Sequence, residues 1–197
     1  MPHNATFLPQ STRNSAGILA KIAVVLAAFA LAACEQPPVN RDPARPLETV
    51  PKVELERYLG RWYEIARYDH SFERGCFAIT ATYSKNADGS IKVVNRCRKG
   101  ALDGPEDVAD GSATIADPTT NAKLAVTFFW PFSGDYWIIG LADDYSWALV
   151  GEPSGRYLWI LARTPQIGPE LRADLVAKLQ AKGYNTDALI WVQQPAN

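Results

Sequence analysis

Histidine, basic clusters and long apolar runs are all scarce in this chain of 197 residues. The chain contains two histidines, His3 and His70, which is too few for a multi-histidine metal site and unfavourable for histidine-based catalysis. The formal net charge is −1 and no block of basic residues stands out, so nothing indicates nucleic-acid binding. We therefore expect no metal, no cofactor and no nucleic-acid partner.

The N-terminal apolar run, residues 22–33, is too short to cross a bilayer as a helix. It contains twelve residues, whereas a helical span needs about 20. Arg13 and Lys21 precede it, and no acidic residue occurs before Glu35. Positive charge followed by a short apolar core is typical of a secretory signal peptide, and we assign residues 1–33 to one.

The apolar run ends in Leu-Ala-Ala-Cys at residues 31–34, which resembles the lipobox of bacterial lipoproteins. In those proteins the cysteine becomes the first residue of the mature chain and is acylated, and more than one acyl chain is enough for stable anchoring. We therefore predict that Cys34 is the lipid anchor. Glu35 stands where an Asp retains proteobacterial lipoproteins in the inner membrane, and this resemblance favours the outer membrane, on its periplasm-facing side. The alternative is an ordinary signal peptide whose cleavage site happens to precede a cysteine.

The stretch that follows the anchor is rich in proline and charged residues. Five prolines lie between residues 37 and 51, a composition that cannot form a helix or a central strand. We predict an extended, lipidated tether over residues 34–52. A single folded domain is then predicted over residues 53–197.

Short β-type segments separated by turn signals make up most of this domain. The predicted strands are 62–68, 77–84, 91–98, 112–116, 123–130, 136–142, 147–150 and 157–163. Apolar residues then recur at helical spacing between Pro169 and Gly183, and a last short strand is predicted over 189–192. Eight antiparallel strands of this length can close into a barrel that holds one small ligand and has no open edge. The predicted fold class is therefore all-β: an eight-stranded antiparallel up-and-down β-barrel with a C-terminal α-helix packed outside and a short ninth strand.

Three motifs occur in an order that resembles the lipocalin family. They are Gly60-Arg61-Trp62, which matches the family's G-x-W at the first strand, Asp143-Asp144-Tyr145, which matches its T-D-Y turn between strands six and seven, and Arg163, which matches the arginine that ends strand eight. Residues 62–67, 72–75 and 190–195 look like the bacterial outer-membrane lipoprotein subgroup, which is related to apolipoprotein D. The likeness covers residues 55–195. Asp143 replaces the family's threonine, but an Asp side chain can make the turn hydrogen bond itself.

Strand parity places these three motifs at one end of an up-and-down barrel. Trp62 is then expected to close that end, which we call the base, with the guanidinium of Arg163 stacked on its ring in a contact of roughly 0.5–2 kcal/mol. This is a structural role. The opposite end, the mouth, is expected to consist of residues 69–75, the loop between strands three and four, residues 130–134 and residues 152–155.

The inward faces of the strands supply the candidate ligand-binding residues. Parity on strands five and eight gives Val126, Phe128 and Trp159. Resemblance to other lipocalins adds Ile79, Ala81, Tyr83, Val93, Asn95, Tyr136 and Ile138. Such a pocket is apolar and aromatic, which suits a fatty acid or a lysophospholipid-like ligand, although an ordinary barrel-core role is equally open for each residue alone. Glu64 is expected inside a buried polar network, and His70 is expected in a solvent-exposed loop.

The two remaining cysteines, Cys76 and Cys97, lie in a compartment that permits disulfides. A four-residue hairpin loop pairs Ser84 with Ile91, so that Ala78 opposes Cys97 and Cys76 is its diagonal neighbour. Diagonal Cα atoms are about 7–8 Å apart, slightly too far for a disulfide unless a bulge intervenes. We predict the disulfide, with two free thiols as the alternative.

The leading hypothesis is a non-catalytic binding protein. It is a membrane-anchored lipocalin that stores or carries a small hydrophobic ligand, a fatty acid or a lysophospholipid, in the bacterial cell envelope. One alternative is a lipocalin-fold enzyme that acts on a lipid or isoprenoid substrate through Glu64, Tyr83 and a free Cys97. Another is a structural envelope lipoprotein whose barrel is fully packed. The sequence leaves a homodimer open.

Overall fold

The computed structural model describes residues 36–196, so the predicted signal peptide and Cys34 lie outside the described residues. The strands are β1 (Gly60–Arg67), β2 (Cys76–Lys85), β3 (Ile91–Lys99), β4 (Glu106–Ile115), β5 (Lys123–Phe129), β6 (Phe132–Leu141), β7 (Trp147–Gly151), β8 (Leu158–Ala162) and β9 (Ile190–Trp191). The α-helices are α1 (Leu55–Tyr58) and α2 (Pro169–Ala181). Within these residues, no helix is both long and apolar enough to cross a membrane.

Strands β1 to β8 form a closed antiparallel ring. Each strand pairs with the next along the chain, and β1 pairs with both β2 and β8, which closes the barrel. The short strand β9 pairs with β1 through Ala66 and Arg67, in addition to the ring. The predicted fold class is confirmed, because each strand of the ring pairs with a neighbour on both sides.

Strand β4 is longer than the sequence indicates. It was predicted over 112–116, but it begins at Glu106 and pairs with β3 along eight residues. The first half carries small or acidic residues at most positions, among them Ala109 and Gly111 on the inward face, so it lacks the alternation of large apolar side chains that marks a strand. Backbone hydrogen bonds to β3 hold this half in place, because each paired N–H and C=O is satisfied there.

Two predicted turns also differ from the structure. The loop expected over 130–134 is a two-residue connection, Trp130-Pro131, because β6 begins at Phe132 and pairs with β5 from Phe129 onward. In the β2–β3 hairpin, Ile91 pairs with Lys85 and not with Ser84, so the predicted register is off by one residue at this end. A bulge between Phe77 and Thr80 restores the predicted register at the other end of the hairpin.

The apolar side chains form two layers, one inside the barrel and one between the barrel wall and α2. Strand β7 contributes to both: Ala148 and Val150 face the interior, whereas Leu149 faces outward. Leu175 and Leu179 of α2 are fully buried in the outer layer. Strands that are buried on both faces lose the apolar–polar alternation, which is why β7 and β8 are almost continuously apolar.

The predicted tether is held against the barrel along most of its length. Asn40 donates its backbone N–H to the carbonyl of Gly155 (3.0 Å), in the β7–β8 loop at the mouth. Val50 donates in the same way to Ile138 (2.9 Å), and Val53 to Thr120 (2.7 Å), in the β4–β5 loop at the base. Read towards the N-terminus, this segment therefore runs up the outside of the barrel from the base to the mouth.

Candidate ligand-binding site

The base of the barrel is closed by Trp62. Its side chain is fully buried, and its Nε1 donates to the carbonyl of Tyr58 at 2.8 Å. The guanidinium carbon of Arg163 lies 3.8 Å from the centroid of the indole ring, which is a cation–π contact. The predicted stacking of Arg163 on Trp62 is confirmed.

Arg163 also donates hydrogen bonds to several backbone carbonyls at this end. Its Nη2 donates to the carbonyls of Arg57 (2.7 Å) and Leu59 (3.0 Å), and its Nη1 donates to the carbonyl of Arg61 (2.8 Å). Gly60 has a φ of +93°, and a Cβ there would lie 3.4 Å from Nη1 of Arg163. The glycine of the G-x-W motif is required by this backbone conformation, which L-residues rarely adopt.

The predicted lining residues are distributed along the inward faces of the barrel. Those that belong to the interior apolar layer are Ala81, Tyr83, Val93, Val126, Phe128, Tyr136, Ile138 and Trp159. Asn95 pairs with Ala81 and therefore faces the same way. Ile79 is buried beside the bulge in β2, and its carbonyl accepts a hydrogen bond from Nε2 of Gln194 (2.8 Å). Apart from Ile79, which is not part of the interior apolar layer, these side chains share one interior. Whether they contact a ligand stays a prediction.

On β4 and β5, the exposure of the inward-facing side chains increases from the base to the mouth. On β4, Ala113 is fully buried, Gly111 is half-buried and Ala109 is exposed. On β5 the buried Leu124 is followed by the half-buried Val126 and Phe128. Beside β4 and β5 the interior is therefore packed at the base and open towards the mouth, in the shape of a cup. Sequence reasoning missed the contribution of Ala109, because that half of β4 was assigned to a loop.

Three tyrosines form the floor of this cup. The hydroxyl of Tyr136 lies 2.8 Å from that of Tyr58 and accepts a hydrogen bond from Tyr83 at 2.9 Å. Burial raises the pKa of all three phenols, so they stay protonated and neutral. Tyr58 was not among the predicted site residues, because it precedes the first strand and its inward position depends on the turn at Gly60.

A cluster of buried charged residues lies above this floor. Glu64, Arg67, His70 and Glu73 are each less than a tenth exposed. Nε of Arg67 lies 3.4 Å from Glu64 Oε1 and 3.3 Å from Glu73 Oε2, and Nε2 of His70 lies 3.0 Å from Glu73 Oε2. The expectation that Glu64 belongs to a buried polar network is confirmed. Burial and the neighbouring Glu73 raise the pKa of Glu64, and the opposing effect of Arg67 is smaller.

The prediction of an exposed His70 is wrong. Its ring is 1% exposed, stacks on Phe72 with centroids 3.8 Å apart, and lies 5.6 Å from the ring of the lining residue Trp159. The loop folds inward because Arg67 and Glu73 pair across it. The regular spacing of three residues between Glu64, Arg67, His70 and Glu73 is a signal that could have revealed the cluster.

The predicted disulfide between Cys76 and Cys97 is present. The Cα atoms are 5.5 Å apart, within the range for a disulfide. The bulge that the prediction required is centred on Ala78, which has a φ of +50°. The bond joins β2 to β3 near the mouth, and it leaves no free thiol on Cys97.

Two clefts on the outer surface are less suited to a hydrophobic ligand. One lies beside the tether and α2 and includes Arg45, Asp143 and Lys182; the other lies outside β2 and β3 and includes Arg96 and Glu106. Both are rimmed by charged side chains, whereas the interior of the barrel is apolar and aromatic. The candidate site is therefore the interior of the cup.

A closed eight-stranded barrel with a sealed base and an open, aromatic interior defines the class of cup-shaped β-barrels that enclose a single site. Residues 53–194 match the family model described as a lipocalin-like domain. The chain belongs to the lipocalin family.

Several named proteins are similar in sequence to this chain over most of its length. It is 41% identical over 180 residues to the outer membrane lipoprotein Blc of Escherichia coli K12, covering 91% of this chain and 99% of that protein. It is 40% identical over 152 residues to temperature-induced lipocalin-1 of Arabidopsis thaliana, covering 73% and 80% of the two chains. Among solved structures, insecticyanin of Manduca sexta matches with a TM-score of 0.62 at 17% identity, covering 76% of this chain and 85% of that chain. The structural likeness concerns the fold alone.

Proposed function

We propose that this protein is a membrane-anchored lipocalin that binds a fatty acid or a lysophospholipid and stores or carries it in the bacterial cell envelope, without catalysing a reaction on it. The observation that carries the proposal is the increase in exposure of the inward-facing side chains of β4 and β5 from base to mouth, since a fully packed barrel would bury them throughout. The names of the bacterial relatives, outer membrane lipoproteins, and the lipobox-like sequence at Cys34 support an outer-membrane location with a lipid anchor.

The cup suits a ligand with one apolar tail and a polar head. The half-buried faces of Val126, Phe128 and Trp159 offer apolar and aromatic surface to an acyl chain. Above them, on the inward face of β3, Oδ1 of Asn95 is buried without a hydrogen bond to any described residue. A polar head group placed there would satisfy groups that otherwise cost free energy to bury.

The structure engages or protonates the groups on which the enzymatic alternative depends. Cys97 is in a disulfide, so it cannot act as a nucleophile. The raised pKa of Tyr83 keeps its phenol protonated, and Glu64 is engaged by Arg67. No observation on the described residues favours catalysis over binding.

The proposal is tested by placing a large side chain on the inward face or on the outward face of β4. Ala109 faces the interior and Val108 faces outward; both are exposed, so a larger side chain at either position costs little stability. We expect Ala109→Phe to weaken the binding of a fluorescent fatty acid to residues 36–196 at least tenfold, and Val108→Phe to leave it unchanged. Quenching of tryptophan fluorescence on titration reports the affinity. Equal effects of the two substitutions, or no binding by the unchanged protein, would contradict the proposal.

A further inference from the structure

The largest exposed apolar side chains of the described residues are concentrated at the mouth. Phe129, Trp130 and Phe132, on the hairpin between β5 and β6, are 80%, 88% and 77% exposed. Phe72, in the β1–β2 loop, is 57% exposed, and Leu102, in the β3–β4 loop, is 42% exposed. Single exposed apolar residues need no explanation, but a group of aromatic side chains at one end of a molecule marks a contact surface.

The tether leaves the described domain at this same end. The backbone N–H of Asn40 bonds to Gly155 in the β7–β8 loop, and the carbonyl of Asn40 accepts a hydrogen bond from the hydroxyl of Tyr68 at 2.9 Å. Cys34 lies six residues before Asn40, a distance of at most about 20 Å for an extended chain. The ten residues of β2 span about 33 Å. An anchor at Cys34 would therefore hold the mouth, and not the base, next to the bilayer.

The order of strands places the exit of the tether between two aromatic loops. The ring runs β5-β6-β7-β8-β1-β2, so the β5–β6 hairpin and the β1–β2 loop each lie two strands from the β7–β8 loop. Two strand spacings correspond to about 10 Å along the wall. Trp130 and Phe72 thus flank the point from which the chain continues to Cys34.

The character of the surface fits a lipid bilayer. Tryptophan and phenylalanine at the tip of a short hairpin suit the interface between water and hydrocarbon, where aromatic residues are enriched in membrane proteins. The charges around the mouth are of both signs, as in the ion pairs of Asp69 with Arg74 (2.9 Å) and of Lys99 with Asp107 (3.3 Å). Because charged side chains of both signs surround the mouth, they give no net attraction to anionic lipid. We therefore expect the contact between the mouth and the bilayer to be apolar and independent of salt concentration.

We propose that the mouth of the barrel rests on the bilayer through Phe129, Trp130 and Phe132, with Phe72 on the other side of the tether. The ligand then passes between the bilayer and the cup without crossing water. This inference rests on the proposed function for the ligand and on acylation of Cys34 for the orientation. A second copy of the chain is the competing occupant, and the experiment below distinguishes it.

The contact is tested with an environment-sensitive fluorophore on the lipid-anchored mature chain in vesicles that contain brominated phosphatidylethanolamine and phosphatidylglycerol. The label is attached through Trp130→Cys at the mouth or through Asp88→Cys, its control, in the exposed β2–β3 turn at the base. We expect a blue shift and bromine quenching at position 130 and neither at position 88, both unaffected by 0.5 M salt. Equal signals at the two positions, or a mature chain whose mass shows no acyl group, would overturn the proposal. So would shielding of position 130 that appears only as the protein-to-lipid ratio increases, because that result identifies a second copy as the occupant.

The consequence for ligand transfer is tested with the triple variant Phe129→Ser, Trp130→Ser, Phe132→Ser. None of these side chains is among the predicted lining residues, so we expect an unchanged equilibrium affinity for the fluorescent fatty acid. We also expect transfer of that fatty acid from the vesicle to the protein to slow at least tenfold in stopped-flow measurements. An unchanged transfer rate would overturn the proposal. If the unchanged protein binds no fatty acid while position 130 still enters the bilayer, the proposed ligand is wrong and the docking stands.

Discussion

The two ends of the barrel are built in opposite ways. At the base, Trp62 is fully buried and Arg163 bonds to several backbone carbonyls around it. At the mouth, the inward faces of β4 and β5 are half-buried or exposed, and Trp130 extends into solvent. The base is therefore closed by buried side chains, whereas the mouth exposes inward-facing and aromatic side chains.

The largest effect that tests this comparison comes from removing one tryptophan at each end. We expect Trp62→Ala to destabilise the domain by about 3–5 kcal/mol, because it creates a cavity at the base and removes the partner of Arg163. Trp130→Ala should change the free energy of unfolding by less than about 0.5 kcal/mol, because the side chain is exposed. Denaturant unfolding followed by circular dichroism measures both. Similar losses for the two variants would show that the ends do not differ in this way.

A smaller effect is expected from the disulfide near the mouth. The cysteines are 21 residues apart, and closure of a loop of this size stabilises a fold by about 3 kcal/mol. We expect Cys76→Ser with Cys97→Ser to lower the free energy of unfolding by about that amount, and to leave the Trp62–Arg163 base folded at low denaturant. Near-ultraviolet circular dichroism of the buried tryptophan reports on the base. Addition of reductant should destabilise the unchanged protein and have no effect on the double variant.

The smallest expected effect is a change in pH dependence caused by the buried Glu64. Its pKa is raised in the folded protein, so the folded state holds a proton that the unfolded chain releases at about pH 4.3. The stability linked to this proton is complete below that pH and is lost as the pH rises through the folded pKa. We expect Glu64→Gln to reduce this decline, because an amide does not ionise. The difference between the unfolding free energies of the two proteins, measured from pH 4 to pH 8, should change in favour of the variant as pH rises; a constant difference would refute the assignment.

The base was predictable from sequence because its residues are large and their positions follow from parity. Trp62 and Arg163 lie at a strand start and a strand end, and their contact needs only the up-and-down order of the strands. The lining of β5 was predictable for a similar reason, since Leu124, Val126 and Phe128 alternate with outward residues. Where a strand alternates large apolar side chains, its inward face can be identified without the structure.

The mouth was less predictable because its structure depends on pairing that local sequence does not reveal. The upper half of β4 carries small residues such as Ala109, and its strand conformation is imposed by β3. A register shift between Glu64 and Ala66 brings Arg67 into the buried cluster, although alternation alone would direct it outward. His70 is buried because Glu73 pairs with Arg67 across the loop. Each of these features depends on a contact between residues whose burial the pattern of apolar residues does not predict.

The central claim, an open cup that holds one hydrophobic ligand, is tested most directly by native mass spectrometry of residues 36–196, produced in bacteria without the Cys34 anchor and purified without detergent or added lipid. We predict a bound species with the mass of a fatty acid or a lysophospholipid, retained by Val108→Phe and lost from Ala109→Phe. A folded protein that carries no added mass, and that takes up none when fatty acid is supplied, would contradict the account.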